Sequence, residues 1–167
     1  MYLLDTGIMS ALRHARWDAA CAPLAQWARG ITPARLFISA ITLLELENGV
    51  AHVQKDRPDE AKALRVWLDN QVATTFDGRI LPVDAAVVRR RCGLNYADGR
   101  DGLIAATALE HSLTLVTRRP SAYRAGRVRL LDPFAAHPAS DAAPQESEWA
   151  GEARSGQGWL RNLFLRF

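Results

Sequence analysis

Three acidic residues stand where they could do chemistry together. Asp5 follows the apolar run Tyr2-Leu3-Leu4, Glu45 sits in Ile41-Thr42-Leu43-Leu44-Glu45-Leu46, and Asp101 opens the small-residue segment Asp101-Gly102-Leu103-Ile104-Ala105-Ala106-Thr107-Ala108-Leu109. Carboxylates that share a pocket repel one another, and they stay ionised at neutral pH only when a cation is bound or water solvates them well. Hard oxygen donors without histidine or thiolate favour Mg²⁺ or Mn²⁺ over Zn²⁺. Such an ion polarises a phosphodiester and activates water, and two ions about 3.5 to 4 Å apart can hold both the attacking and the leaving oxygen. Hydrolysis of a nucleic-acid backbone is the reaction this set suits. Each acid also has a plain structural reading, Asp5 or Asp101 as a helix N-cap and Glu45 as a solvated charge on a helix face, and spacing alone leaves both alternatives open.

Other residues with reactive side chains carry less. His14, His52, His111 and His137 are scattered without ligand spacing, and Cys21 and Cys92 belong to no CxxC or Cys/His pattern, so reduced thiols are expected. Asp98 reads as a cap or turn residue and Asp84 as the N-cap of a helix over 85–91.

The elements that must position the three acids follow from periodicity. Short β-type runs at 2–4, 36–39, 79–83, 113–116 and 128–131 alternate with segments of helical spacing, including 41–53 and 62–72. That alternation predicts an α/β fold with a mostly parallel central sheet flanked by helices on both faces. Asp5 then ends the first strand, at the edge where open parallel sheets bind ligands. Glu45 falls one turn into the helix after the second strand, and the helix opened by Asp101 precedes the fourth.

At 167 residues and 49% hydrophobic, the chain is long enough for one domain with a real core. Residues 1–134 read as that domain. Ala, Ser, Pro, Glu and Gly dominate 135–158, which reads as a flexible linker, and 159–167 places Trp159, Leu160, Leu163, Phe164 and Phe167 on one face of an amphipathic segment. No apolar run reaches the roughly 18 to 20 residues of a membrane span and the start lacks a signal peptide, so no membrane is expected and the cytoplasm is the expected location. The net charge of +3 is modest, yet nearly all of the positive charge is arginine, whose planar fork suits phosphate.

The ordered set of motifs resembles a known family. Tyr2-Leu3-Leu4-Asp5-Thr6 resembles the opening of PIN-domain toxins, 38–46 their second acidic motif, and 101–108 followed by Ser112-Leu113-Thr114-Leu115-Val116-Thr117-Arg118 their third motif and the strand after it. The FitB-like branch of the VapC toxins is most similar, helped by Gly78-Arg79-Ile80-Leu81-Pro82-Val83-Asp84. The resemblance covers residues 1 to about 134. It implies a PIN-like fold and a Mg²⁺- or Mn²⁺-dependent endoribonuclease acting as the toxin of a type II toxin–antitoxin system. Its partners would be an RNA substrate, a cognate antitoxin and a second copy in a homodimer, with DNA met only through the antitoxin. Asp5 and Asp101 would be the principal metal ligands, with Glu45 a third acid binding metal directly or through water.

The chain departs from the family at two places. Gly7 stands where Asn is usual, and Arg119 stands where many members carry a fourth acid, with Ala122 and Tyr123 where another acidic pattern falls. Arg119 could instead hold an RNA phosphate, and Thr117 could support the site by hydrogen bonding. Two rival functions differ in class. Leu3-Leu4-Asp5-Thr6-Gly7 also resembles the active-site turn of retroviral-type aspartic proteases, but that fold is almost wholly β and this pattern is rich in helices. The other rival is a catalytically weakened PIN-like module that binds RNA or protein.

Overall fold

The computed structural model describes residues 1–15 and 18–135. The expected linker beyond Ala135 and the apolar segment 159–167 therefore lie outside the described residues. Five strands, β1 (Tyr2–Leu4), β2 (Leu36–Ser39), β3 (Ile80–Leu81), β4 (Thr114–Val116) and β5 (Leu130–Leu131), form one sheet in the order β3-β2-β1-β4-β5. Every pairing is parallel. Helices α1 (Thr6–His14) and α2 (Ala22–Arg29) link β1 to β2. From β2 the chain reaches β3 through α3 (Ala40–Asp56), α4 (Pro58–Trp67), a π-helical turn (Leu68–Val72) and α5 (Ala73–Thr75), and then β4 through α6 (Ala85–Cys92) and α7 (Gly99–Glu110).

A parallel sheet needs crossover connections, and those connections bury both of its faces. Successive side chains of a strand point to opposite faces, and the burial follows that period. Leu4, Leu36, Ile38 and Val116 join Ile8, Leu12, Leu24, Trp67 and Phe76 on one side. Leu3 and Leu115 join Ile104, Ala105, Ala108 and Tyr123 on the other, with Phe37 packed alongside. Each large apolar side chain removed from water in this way contributes about 1.5 to 3 kcal/mol.

Among the described residues the predicted strands and helices form, with shifted ends. The third strand shrinks from 79–83 to Ile80–Leu81, because Pro82 has no N–H to offer a ladder. The fourth begins at Thr114: Ser112 takes a left-handed φ of 54° and Leu113 N–H still bonds back to the carbonyl of Ala108 at 2.8 Å. The fifth begins only at Leu130, after Arg127 at φ 53°. The helix expected at 62–72 starts earlier, at Pro58, where proline suits a first turn, and passes at Leu68 into the π-helical turn. No helix among the described residues is long and apolar enough to cross a membrane.

Candidate active site

Strand order reverses between β1 and β4. The chain leaves β1 toward β2 on one side and leaves β4 toward β5 on the other, which opens a crevice at their carboxyl ends. Asp5 and Thr117 are the residues that follow these two strands. Asp5 N–H bonds the carbonyl of Val116 at 3.1 Å, and Thr117 N–H bonds that of Leu131 at 2.9 Å, so both residues are fixed by the sheet itself.

Asp5 is 3% exposed and caps α1, accepting from Ile8 N–H at 2.7 Å. The structural role left open by the sequence is therefore real, and Asp5 fills it while standing beside the crevice at the carboxyl end of β1. Burial pushes the Asp5 carboxyl above its ordinary value of 3.8, against hydrogen bonds from Thr117 and Ile8 and the charge of Arg119, while nearby Asp101 pushes the same way as burial. Thr117, fully buried, thus supports Asp5, and its Oγ1 also accepts from Arg119 N–H at 3.0 Å. A Cβ at position 7 would lie 3.4 Å from Asp5 Oδ1, so Gly7 leaves that flank of the carboxylate open.

Glu45 is placed by the start of α3. Ser39 caps the helix, accepting from Thr42 N–H at 3.0 Å, and Thr42 Oγ1 donates to the carbonyl of Leu4 at 3.4 Å, which pins the first turn against the end of β1. Glu45 lies three residues beyond Thr42 and shares its face. There Glu45 accepts a hydrogen bond from Thr6 Oγ1, the residue after Asp5, and its other oxygen stands 3.8 Å from the Arg100 guanidinium.

Asp101 lies in the first turn of α7, but Asp98 is the cap, accepting from Arg100 N–H at 2.7 Å and Asp101 N–H at 3.3 Å. Those two amide bonds, the larger first, hold the Asp98 carboxyl below the usual range. Freed from capping, the Asp101 side chain reaches two other donors. Arg119 Nη2 approaches its Oδ1 at 3.2 Å and the Tyr123 hydroxyl donates to the same oxygen at 2.9 Å. Buried Ala105, Ala106 and Ala108 let α7 pack closely, and Gly102 leaves room for the side chain of Arg91.

Arg119 is tied to this arrangement through Thr117 and Asp101. Burial works against its charge, but Asp101, Tyr123, Asp5 and Glu45 together outweigh that and hold the guanidinium above its ordinary value. Arg119 is thus bonded to one acid, Asp101, and feels the charge of the other two. Among the described residues, no three acids, histidines or cysteines lie close enough to ligate one ion as they stand. Sequence reasoning missed Thr6, Arg100 and the donor role of Tyr123. Thr6 and Arg100 adjoin Asp5 and Asp101 in sequence, which was the available signal.

Residues 2–127 match the PIN domain family. The chain belongs to that family. The chain is 33% identical over 143 residues to Toxin FitB of Neisseria gonorrhoeae, across 80% of this chain and 99% of that protein. It is 31% identical over 147 residues to the VapC ribonuclease Y4jK of Sinorhizobium fredii, across 80% of this chain and 98% of that one. Among solved structures, FitAB bound to an IR36 DNA fragment is similar with a TM-score of 0.71 at 27% identity, covering 80% of this chain and 96% of the matched one. The PIN-like fold and the FitB-like, VapC-type membership expected from the motifs are borne out.

Proposed function

We propose that this PIN domain is an endoribonuclease dependent on Mg²⁺ or Mn²⁺, and the toxin of a toxin–antitoxin pair. The observation that carries the reading is that Asp5, buried at the carboxyl end of β1 where strand order reverses, feels the charge of Asp101, while Arg119, bonded to Asp101, feels the charges of both Asp5 and Glu45. A desolvated carboxylate beside two further acids is a donor set suited to a hard divalent ion, and burial of Asp5 leaves a charge that such an ion would compensate. Asp5, Glu45 and Asp101 would hold it. When bound, a divalent cation supplies Lewis-acid polarisation of the phosphodiester and a water nucleophile at neutral pH.

The chain's own residues do the rest. Thr117 and the first turn of α1 fix Asp5, Thr6 orients Glu45, and Tyr123 and Arg119 orient Asp101. Arg100 is an exposed guanidinium paired with Glu45, and on release it can hold a phosphate oxygen of the substrate backbone. The relatives named a toxin and a ribonuclease support this reading, and the DNA-bound FitAB assembly supports an antitoxin partner through which DNA is met. A homodimer and a cytoplasmic setting complete the proposal. Sedimentation of the purified chain as a monomer at micromolar concentration counts against the dimer.

The test is cleavage of single-stranded RNA by the purified chain. Cleavage with Mn²⁺ or Mg²⁺ is expected, with complete loss in EDTA and recovery when metal is restored. Activity that survives EDTA sinks the metal-dependent reading. One observation favours the second reading, a weakened PIN-like binding module, namely that Arg119 already neutralises Asp101. RNA retention without cleavage, in a folded chain that binds no metal, would establish it.

A further inference from the structure

Asp101 Oδ1 receives two hydrogen bonds of unlike character. The Arg119 side chain is 64% exposed and free to exchange its partner for solvent. Tyr123 is 1% exposed and cannot move without opening the core. It lies in the 3₁₀ segment Pro120–Gly126, and its carbonyl accepts from the Tyr96 hydroxyl at 2.9 Å. The two rings lie 6.3 Å apart at 58°, within the same buried cluster. Gly126 makes the contact possible, since a Cβ there would fall 2.4 Å from the Tyr96 hydroxyl oxygen. Tyr96 thus fixes the backbone of Tyr123, and Tyr123 fixes Asp101.

We propose that Tyr123 is a positioning residue of the metal site: its buried hydroxyl ties down Asp101 Oδ1 and so fixes the carboxylate that would hold the cation. The inference rests on the metal-site reading above. Mg²⁺ demands near-octahedral geometry from few carboxylates, so a ligand free to rotate costs affinity. Residues that orient ligands from behind are typically worth about 10- to 100-fold in affinity or activity.

The experiment is calorimetric titration of the full chain with Mn²⁺ at pH 7, for the parent, Tyr123→Phe, Asp101→Asn and the double variant. Tyr123→Phe should weaken Mn²⁺ binding about tenfold, the lower end of that range. It should add nothing in the Asp101→Asn background, because a hydroxyl that acts only through Asp101 has nothing left to orient. Circular dichroism with thermal melting checks that each variant is folded, and should Tyr123→Phe not fold, Tyr96→Phe takes its place with a smaller expected loss. Parent-like affinity in folded Tyr123→Phe overturns the inference and leaves the metal site standing, as does an equal loss with and without Asp101. A parent that binds no Mn²⁺ overturns both.

Discussion

Replacing Asp5 by Asn is expected to abolish detectable Mn²⁺ binding and lower RNA cleavage by roughly 10²- to 10³-fold, the equivalent of several kcal/mol of lost charge stabilisation. The same change should raise the melting temperature of the metal-free protein. Asn caps a helix as well as Asp does, so the bond from Ile8 N–H is kept while a buried charge is removed. The sign with pH follows from the direction of the shift. The folded-state carboxyl of Asp5 titrates above its ordinary 3.8, so its contribution to stability is fully present below that value and is lost as pH rises through the folded one. The stability gap between Asp5→Asn and the parent should therefore widen from about pH 4 toward neutrality in EDTA. Excess Mn²⁺ should reverse the order, since an ion that binds only the folded parent stabilises it. Melting curves at three pH values, with and without metal, decide the matter. A variant less stable than the parent in EDTA, with a gap indifferent to pH, would mean that Asp5 is merely a cap.

Arg119→Asp carries the second large effect. The substitution removes a positive charge from among three acids and supplies a carboxylate in its place, a two-unit change beside a divalent ion. An exposed side chain is screened by water, which limits each unit to well below its low-dielectric value. About thirtyfold tighter Mn²⁺ binding is expected for Arg119→Asp, and about fivefold for Arg119→Ala, which relieves repulsion alone. Cleavage should rise in the same order. If both variants lose cleavage while Mn²⁺ affinity holds at the parent's value, Arg119 is a phosphate clamp and the weakened-site account is wrong.

Much of the fold was legible because its signals are local. β1 and β2 follow from short apolar runs, and Asp84 announces its helix by capping it, accepting from Val87 N–H at 2.9 Å. Asp98 was readable for the same reason. The ends of β3 and β5 were not, since they depend on pairing and on a left-handed residue at 127 rather than on the apolar pattern. At the site, the acids were visible as residue types in order, whereas their surroundings were not. Arg119 could be read as standing in an acid's place, but its bond to Asp101 spans 18 positions and no periodicity encodes it. Tyr123 looked like one more missing acid, yet in space it performs a different service, donating to an acid instead of adding one.

The pairing of β1 with β4 joins Tyr2–Leu4 to Thr114–Val116, more than 100 residues apart in sequence, and Thr117, Arg119 and Tyr123 supply further contacts to the site. Long-range parallel pairing forms slowly compared with local contacts. Asp101 is held only once Tyr123, 22 positions further along the chain, is in place. A fragment that stops before residue 114 lacks both the strand that pairs with β1 and the residues that hold Asp5 and Asp101, so it cannot assemble the site.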